Sequence, residues 1–505
     1  MNVLLIDPPF YRLIGFYNRY FPQGLVSVGT ALRQAGHEVT VYDADYNEKP
    51  SVIGNASLTR HYQPYMDALC RPDHPIWREV REMIQEIEPG VVGIGMCTAP
   101  AGAAFRIAEI VKTVNPACPV VVGGPHATAR AEEILTICPA VDYIVRGEGE
   151  ITARELVEAL EAADPREASL DDATRTRLLE AIEGLSYRAG GVIRHNPARE
   201  RIKNLDELAP PDRALLMHRD TYSAEDMGLM MTSRGCPFSC AFCATDSRQV
   251  RYRSIEHILR EVRHVKAACG TVYFTFKDDS FTVSKKRVAE FCDALIRESL
   301  GIGWECNTRV DLVDEQMLRT MKRAGCNGVK VGVESGSETV LQRMDKRITL
   351  DQVRAAAGLF RKVGLHWTGY FLIGTPGETE EDIYRTLDFM YEIKPDFAAL
   401  GVYEPFPETA MFDDGIRRGL VRPGMAMDDF YTVPPNHYYK VDPRRQVEAI
   451  ETEQFERLER EMKDRFHEYN KGLRRLLSRA RARTVQYRRS PRVLVEDFKK
   501  YLSWQ

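Results

Sequence analysis

The stretch RGCPFSCAFC, residues 234–243, places three cysteines close together, at Cys236, Cys240 and Cys243. A structural zinc site needs four nitrogen or sulfur ligands, usually as two separated pairs, and no second pair is visible at such spacing. A disulfide would leave one thiol over. Three thiolates on one loop instead suit a [4Fe–4S] cluster, in which each binds one iron and the fourth iron stays open. We therefore predict an iron–sulfur cluster with these three cysteines as ligands.

The composition is that of a globular protein. Of the 505 residues, 44% are hydrophobic and 28% are charged, and the formal net charge of -4 gives no general attraction to nucleic acid. The N-terminal MNVLLIDPPF lacks a basic segment ahead of its apolar run, so it indicates a buried strand and not a signal peptide. No apolar run is long enough for a membrane helix. Because eight of the eleven cysteines are scattered singly, we expect ordinary buried thiols and a cytoplasmic protein.

Strand and helix signals alternate through the first two hundred residues. The β-rich runs are NVLLID (2–7), EVTVYDAD (38–45), GVVGIGM (90–96), PVVVGG (119–124) and VDYIVRG (141–147). Strands that alternate with helices predict a doubly wound parallel sheet, which binds ligands beyond the carboxyl ends of its strands. The turns DPPF, GMCTAPAG, VVGGPHA and VRGEGE fall there. None of them is a GxGxxG sequence, so a dinucleotide site is not supported.

A second series of strand and helix signals begins near Met227. Its β-rich runs are GLMMTSRG (228–235), VYFTFKDDSF (272–281), GWECNTRVD (303–311), GVKVGVES (328–335), HWTGYFLIG (366–374) and FAALGVYEPF (397–406). Repeated βα units over about two hundred residues predict a full or partial TIM-like barrel, whose chemistry lies at the carboxyl ends of its strands. Because the three cysteines follow the first of these strands, they should lie on a loop at that rim.

The motif CPFSCAFC (236–243), with Phe242 before its last cysteine, resembles the signature of radical S-adenosylmethionine (SAM) enzymes. The preceding α/β region resembles the Rossmann-like cobalamin-binding domain of a large subgroup of them. The resemblance implies a cobalamin domain over 1–200, a linker over 201–226, a radical SAM barrel over 227–420 and a mostly helical region over 421–505. It also implies that the open iron chelates the amino and carboxylate groups of SAM and cleaves SAM to a 5′-deoxyadenosyl radical.

The resemblance implies SAM contacts at later strand ends. They are Asp278 and Asp279 for the methionine ammonium, Arg309 for the methionine carboxylate, Glu334 and Ser335 for amino or ribose groups, and Ile373 and Gly374 around the adenine. Asp278 and Asp279 could instead cap the helix after Val283. The family's usual GGE triplet after the second strand is absent, which makes the ammonium contact less specific than the cluster.

For the first domain the resemblance implies cobalamin at the strand ends. The corrin would lie near Pro8, Thr98, Gly123, Gly124, Pro125 and His126, and the nucleotide tail would run past Arg146, Gly147, Glu148 and Gly149. No histidine stands in the DxHxxG motif that ligates cobalt in other cobalamin domains. We therefore expect no histidine ligand to cobalt from that motif, with His126 serving as a turn residue.

Two further segments stand outside these patterns. Residues 46–77 interrupt the doubly wound series and could cap the crevice or form a surface excursion. The C-terminal helical stretch becomes basic, with eight arginines between Arg474 and Arg492. These arginines could form a solvated helix face or contact an anionic membrane surface or substrate.

The resemblance leaves three functions open. One is cobalamin-dependent methylation of an unactivated carbon, with methylcobalamin as the methyl donor to a substrate radical. A second is cyclisation or rearrangement by an enzyme of the same architecture. The third, a non-enzymatic cobalamin sensor, is disfavoured by the cysteine triplet. An enzyme of this kind would need a small-molecule or peptide substrate and an external electron donor such as flavodoxin or ferredoxin; its acid and base residues cannot be read from the sequence.

Overall fold

The first sheet of the protein contains seven strands in a doubly wound arrangement. A computed structural model describes residues 1–16, 20–46, 62–162, 172–245, 247–442, 447–484, 487 and 494–495. The strands are β1 (Asn2–Asp7), β2 (Glu38–Asp43), β3 (Val91–Gly95), β4 (Val120–Gly123), β5 (Tyr143–Val145), β6 (Leu185–Ala189) and β7 (Val192–His195). Their spatial order is β2-β1-β3-β4-β5-β6-β7.

The first five strands are parallel, which confirms the predicted doubly wound sheet. Their apolar runs are buried because helices cover both faces. The chain reverses its direction of winding between β1 and β3, and ligands bind at such a switch point. The antiparallel hairpin β6–β7 extends the sheet and was not predicted from the sequence.

Eight helices connect these strands in the described residues. They are α1 (Gln23–Gln34), α2 (Gln63–Cys70), α3 (Pro75–Ile87), α4 (Ala101–Val114), α5 (Pro125–Ala129), α6 (Ala131–Ile137), α7 (Gly149–Ala162) and α8 (Asp172–Glu180). The predicted insertion over 46–77 is therefore partly helical, and α3 completes the crossover from β2 to β3. Residues 47–61 of that insertion lie outside the described residues.

The second sheet is a six-stranded parallel half-barrel. Its strands are β8 (Leu229–Met230), β11 (Tyr273–Phe276), β12 (Gly303–Thr308), β13 (Cys326–Glu334), β14 (His366–Ile373) and β15 (Phe397–Val402), and a separate hairpin contains β9 (Ser233–Arg234) and β10 (Arg251–Tyr252). The order β15-β14-β13-β12-β11-β8 confirms the predicted partial barrel. Alternate residues such as Phe274, Trp304 and Val329 are buried under the outer helices, so the residues between them face the lumen.

Six helices cover the outside of the half-barrel. They are α9 (Ile255–Cys269), α10 (Lys285–Glu298), α11 (Glu315–Arg323), α12 (Glu338–Arg343), α13 (Leu350–Val363) and α14 (Glu380–Ile393). Each starts after a serine, threonine or aspartate whose side chain accepts a hydrogen bond from the first turn. These caps satisfy orphan N–H groups and fix the points where the strand-end loops become helices.

The C-terminal region contains α15 (Ala410–Arg417), α16 (Asp429–Thr432), α17 (Thr452–Lys471) and α18 (Leu473–Ala482). The aromatic ring of Phe430 on α16 packs edge-on against Phe105 of α4 in the first domain. The α17 helix lies on the edge strand β15, where the Asn470 amide bonds both the N–H and the C=O of Ala398 at 2.9 and 2.7 Å. This contact covers the free edge of the barrel sheet.

The arginines of the basic segment that the structure describes lie mostly against the barrel. The guanidinium of Arg475 lies 3.3 Å from the centre of the Tyr469 ring, and Arg479 donates to the Asn470 carbonyl. Arg483 pairs with Glu225 at 3.4 Å. No described helix is both long and apolar enough to cross a membrane. The predicted boundaries of the four regions and the proposed membrane contact stay predictions.

Candidate active site between the two sheets

The cysteine loop leaves the half-barrel after β8, where the sequence places it. Gly235 has a φ of +95°, and a Cβ there would lie 2.5 Å from the Gln249 carbonyl, so only glycine lets the loop close onto its return strand. The Cys236 N–H donates to the Ser247 carbonyl at 2.9 Å. At the other side, Ala241 donates to the Met344 carbonyl at 2.8 Å. Backbone hydrogen bonds therefore hold both ends of the loop.

The three thiols lie close to one another on this loop. Cys240 is buried, Cys236 and Cys243 are half-buried, and none of the cysteines is in a disulfide. Burial raises the pKa of Cys236, and Asp279, Cys243 and Cys240 raise it further by charge repulsion. Among the described residues, no three potential ligands converge on one metal ion. A cluster with one thiolate per iron needs only separated sulfurs on a shared surface, so this loop is compatible with it.

Arg309 lies beside the cysteine loop, but its guanidinium is already paired. Its Nε and Nη2 bond both oxygens of Asp311 at 3.0 and 3.1 Å, and Nη2 also donates to the Lys346 carbonyl at 2.8 Å. The same group stacks over Phe238 at 3.7 Å and approaches the Cys240 Sγ at 3.7 Å. The expected bidentate contact with a methionine carboxylate would therefore require Asp311 to release it.

The two aspartates after β11 have different environments. Asp278 is fully buried and accepts hydrogen bonds from the Thr232 N–H at 2.9 Å, from the Thr232 hydroxyl and from the Ser233 hydroxyl at 2.6 Å. It therefore holds the strand end that precedes the cysteines, facing away from the open site. Asp279 is exposed and lines the cavity described below. The alternative role as a helix cap is wrong, because Ser284 caps α10.

Glu334 ends β13 in a strained conformation. Its φ is +66°, which is uncommon for a residue with a side chain, and a bulge in the pairing with β14 accompanies it. Its Oε1 bonds the Lys346 ammonium at 2.6 Å. A Cβ at Gly332 would lie 2.2 Å from that Oε1, so the pair needs glycine there. Phe242 lies beneath the pair, with its ring 5.8 Å from the Lys346 Nζ.

Ser335 and the turn after β14 are also internally bonded. The Ser335 hydroxyl lies 3.0 Å from the Thr386 hydroxyl. Ile373 is buried, and Gly374, with a φ of +83°, donates its N–H to the buried Glu378 carboxylate at 2.7 Å. Burial raises the pKa of Glu378 to about 7. The strand ends at which the resemblance places SAM thus form a fixed rim around the mouth of the half-barrel.

A cavity of about 560 Å³ lies between the strand ends of the first sheet and the base of the cysteine loop. Its residues at the first sheet include Asp7, Gly95, Cys97, Gly123, Gly124, Pro125, Gly147, Glu148 and Gly149, and its residues at the barrel include Met231, Arg234, Gly235 and Asp279. Val3, Val91, Val121 and Val145 extend it between β1, β3, β4, β5 and helix α1. The cavity is therefore lined by both domains, with an apolar floor and a polar opening.

Two glycines keep the crevice open at the first sheet. Gly124 has a φ of +119°, and a Cβ there would lie 2.8 Å from the Met96 carbonyl. Gly147 has a φ of +75° and open space beside it. Backbone therefore forms much of this surface, beside the side chains of Asp7, Cys97 and Glu148, and such a surface is compatible with the predicted corrin.

Other residues that the sequence assigned to cobalamin do not all reach the cavity. The His126 ring is buried, with Nδ1 3.2 Å from the Thr98 hydroxyl and its face toward the rings of Phe430 and Tyr439. Burial lowers its pKa to about 3. Pro8 is buried in the loop after β1. Among the described residues, His257 of α9 is the histidine that lines this cavity, and the expectation of no histidine ligand to cobalt stays a prediction.

Glu148 connects the two domains. Its carboxylate accepts from Arg251 at 2.7 Å, from Arg234 at 2.8 Å and from the Ile202 N–H at 2.9 Å. Burial would raise its pKa, but these hydrogen bonds hold it below the ordinary value. Arg146 donates instead to the Asn196 carbonyl beside the β6–β7 hairpin. Both residues bond protein groups, and the tail contact that the resemblance implies for them and for Gly147 and Gly149 stays a prediction.

Comparisons with known proteins agree with this geometry. Residues 230–390 match the radical SAM superfamily and residues 13–157 match the B12 binding domain. An uncharacterised methyltransferase of Pyrococcus horikoshii is 34% identical over 373 residues, which are 71% of this chain and 78% of that protein. The chain belongs to the cobalamin-binding radical SAM enzymes.

Two further relatives of this cobalamin-binding radical SAM enzyme extend the comparison. The anaerobic magnesium-protoporphyrin IX monomethyl ester cyclase of Rubrivivax gelatinosus is 30% identical over 66% of this chain and 60% of that protein. The structure of the radical SAM methyltransferase TsrM from Kitasatospora setae, with cobalamin and a [4Fe–4S] cluster bound, superimposes with a TM-score of 0.63 at 18% identity. That match covers 84% of this chain and 79% of TsrM and shows a shared fold.

Family membership establishes the predicted cofactor set for this radical SAM enzyme: a [4Fe–4S] cluster, SAM and cobalamin. Enzymes of this class act on small-molecule substrates with an external electron donor. The sequence reasoning missed Asp7 and Cys97, which face the cavity from β1 and from the turn after β3. Their position at the switch point could have identified them. It also missed Lys277, next to Asp278 in the quoted strand.

Proposed function

We propose that this cobalamin-dependent radical SAM enzyme methylates an unactivated carbon of a small molecule held at the mouth of the half-barrel. The observation that carries the proposal is the single cavity that joins the strand ends of the B12 binding domain to the base of the cysteine loop. When bound, the cluster and SAM supply a 5′-deoxyadenosyl radical, and cobalamin supplies a methyl group.

The barrel residues bind and orient the first cofactor pair. Cys236, Cys240 and Cys243 would hold the cluster, and the backbone bonds at Cys236 and Ala241 keep the loop fixed against the barrel. Arg309 lies beside this loop, with its Nη1 3.7 Å from the Cys240 Sγ and its Nε and Nη2 bonded to Asp311. Asp279 and the Glu334–Lys346 pair offer charged groups for the zwitterionic end of SAM, while Ile373 and Gly374 offer an apolar turn for its base.

The first-domain residues would exclude water from the second cofactor, cobalamin, and fix its position relative to the half-barrel. Gly123, Gly124, Pro125 and Gly147 present backbone to the corrin, with Thr98 held below them by His126. The apolar floor between Val3 and Val145 would take the nucleotide base. Substrate would then lie between this crevice and the half-barrel, where its radical carbon can meet the methyl group.

The products of a single turnover test the proposal. A methyltransferase should consume two SAM and two electrons from an external donor such as flavodoxin or ferredoxin. It should release methylated substrate with one S-adenosylhomocysteine, one methionine and one 5′-deoxyadenosine. Candidate substrates are incubated with the reconstituted enzyme, and the products are quantified by mass spectrometry.

The runner-up is cyclisation or rearrangement, favoured by the 30% identity to the Rubrivivax gelatinosus cyclase. That reaction would give 5′-deoxyadenosine without stoichiometric S-adenosylhomocysteine. A product with an unchanged number of carbon atoms, formed with 5′-deoxyadenosine but without stoichiometric S-adenosylhomocysteine, would favour cyclisation or rearrangement over methyl transfer.

A further inference from the structure

The inner wall of the half-barrel carries polar side chains that none of the predicted cofactor contacts uses. The β11–β12 pairing places Thr275 beside Glu305, and the β12–β13 pairing places Asn307 beside Lys330. Lys277 follows one step beyond β11, at the level of Asn307. Tyr370 of β14 pairs with Gly332, nearer the mouth. These side chains line the lumen in layers, with Thr275 and Glu305 deepest.

The deeper charges neutralise each other. Glu305 accepts from the Lys330 ammonium at 2.6 Å and from the Thr275 hydroxyl at 3.1 Å. Burial would raise the pKa of Glu305, but the ammonium beside it holds that pKa below its ordinary value. The pair is thus a closed ion pair with an added hydrogen bond, which leaves no net charge at this level of the lumen.

The Lys277 ammonium lies above this pair without a counter-ion. It stands 4.9 Å from the centre of the Tyr20 ring, and within the described parts of the chain no carboxylate lies within ion-pair distance of it. The lysine is half-buried; burial and the neighbouring Lys330 lower its pKa to about 8, although Glu305 partly offsets them. A cation kept partly out of water and beside a second cation is costly unless an anion joins it.

One aromatic ring lies beside this ammonium, and a second lies near the ion pair below it. Tyr20 reaches the lumen from the first domain and lies close enough to Lys330 and Tyr370 to influence the pKa of each. Tyr370 lies near the Lys330–Glu305 pair and is 39% exposed. A tyrosine this exposed is unusual for a core position, and with Tyr20 and the ammonium groups it gives the lumen the apolar wall and few convergent polar groups of a ligand site.

We propose that this lumen binds the anionic group of the substrate, a carboxylate or a phosphate-type oxyanion, against Lys277 beside Tyr20. The inference rests on the proposed function, because it takes the barrel mouth as the substrate site. SAM carries a carboxylate as well, but family resemblance places that group on the open iron of the cluster. The substrate is therefore the expected source of the anion, and the test must separate the two.

The first test measures the reactivity of Lys277 in the anaerobic holoenzyme. Acetic anhydride acetylates only the free amine, so Lys277 should react half-maximally near pH 8, where surface lysines are still protonated. Benzoate and phenylphosphonate are compared with benzamide, which has the same ring but no charge, and with SAM alone. Peptide mass spectrometry reports the extent of acetylation at Lys277.

Either anion should slow acetylation of Lys277 about tenfold, whereas benzamide should change it less than about twofold, because a charge-assisted hydrogen bond contributes more than a neutral one. Anion binding should also raise the half-maximal pH, since it stabilises the ammonium. Equal protection by benzamide, no protection by either anion, or full protection by SAM alone with no added effect of the anions would overturn the proposal.

Variants provide the second test by calorimetric binding of benzoate to the holoenzyme. Lys277→Met should remove the preference for benzoate over benzamide, and Lys277→Arg should retain it. Lys286→Met is the matched control, because Lys286 lies on the outer surface of α10 with its side chain 87% exposed. Retained cluster and cobalamin absorbance shows that each variant is folded; a Lys277→Met protein that still prefers benzoate would contradict the assignment.

The tests of the anion site can succeed or fail independently of the test of methyl transfer. Binding and acetylation require no turnover, whereas methyl transfer is judged from product stoichiometry. Charge-selective binding at Lys277 together with cyclase-type products would support the anion site, and it would replace methyl transfer by cyclisation or rearrangement as the reaction. Methyl transfer with no charge selectivity at Lys277 would retain the reaction and reject the anion site.

Discussion

The strand ends of the first sheet and those of the second present different kinds of surface. At the first sheet Gly95, Gly123, Gly124 and Gly147 supply backbone to the crevice, and Asp7, Cys97 and Glu148 add a few side chains. At the second sheet the surface consists of charged side chains held in pairs, such as Arg309 with Asp311 and Glu334 with Lys346. The first of these surfaces lines the cavity between the domains, whereas the ion pairs of the second are not among the residues that line it.

This difference matches the cofactors that the family resemblance assigns to the two surfaces. A corrin presents a wide face that any projecting side chain would push away, so glycine at positive φ is the means of fitting it. SAM and an iron–sulfur cluster are small and charged, so fixed ion pairs and thiols control them. We expect substitutions at the first surface to act through sterics and substitutions at the second to act through charge and ligation.

The largest effect should come from the cysteine loop. Alanine in place of Cys236, Cys240 or Cys243 removes one of only three thiolates, so the cluster should be lost and 5′-deoxyadenosine formation should fall at least about a thousandfold. Cobalamin binding should stay unchanged, since its surface is formed by the first domain. Cys70→Ala is the control, because Cys70 is exposed on α2. Normal SAM cleavage in a triple alanine variant would refute the ligand assignment.

A smaller effect, which lowers cobalamin binding and spares the cluster, is expected from a substitution in the crevice. Gly124→Ala adds a Cβ 2.8 Å from the Met96 carbonyl at a φ of +119°. Strain of this kind costs about 1–3 kcal/mol, so cobalamin affinity should fall about tenfold while cluster content is retained. Absorbance titration with hydroxocobalamin measures the cobalamin affinity.

The matched control for this change is Gly190→Ala. Gly190 also has a positive φ, of +57°, but it lies in the β6–β7 turn with open space around its Cβ position. The Gly190→Ala variant should lose some folding stability and no cobalamin affinity. Equal losses of affinity in the two variants would show that backbone strain alone, and not the shape of the crevice, is being measured.

The sequence predicted the parts of this molecule that depend on short-range pattern. Alternating strands and helices gave both sheets, because continuous apolar runs such as those of β3 and β4 are typical of buried parallel strands. The position of the cysteines after β8 followed from the same reasoning. The sequence pattern did not predict the hairpin β6–β7, because β7 is mostly exposed and its pattern is that of a polar loop.

The partners of individual side chains could not be predicted in the same way. Asp278 and Glu148 were read as ligand contacts, yet the first bonds Thr232 and Ser233 and the second bonds arginines of the cysteine hairpin. Those partners lie far away in the sequence, so only the folded chain brings them together. The pairing of Arg309 with Asp311, two residues away, was the one such contact that local spacing could have suggested.

The smallest expected effect concerns the contact that joins the two surfaces. Glu148 lies at the first sheet, and its partners Arg234 and Arg251 belong to the hairpin that carries the cysteine loop. Glu148→Gln leaves both guanidiniums without this carboxylate, and it should lower the free energy of unfolding by about 2 kcal/mol. Calorimetry should then show a melting temperature reduced by about 4 °C. Glu298→Gln is the control, since its pair with Arg263 lies at the outer surface and contributes less.

The acidity of Glu148 gives this prediction a defined pH range. Its pKa is held below the ordinary value, so the stabilising charge is fully present above about pH 4.5 and is lost only as the pH falls through the depressed value. The difference in stability between the wild type and Glu148→Gln should therefore stay constant from neutral pH to about pH 5. Looser coupling of the two surfaces should also lower methyl transfer more than SAM cleavage. Equal losses of both activities would mean that Glu148 supports the cysteine loop alone and does not hold the crevice against it.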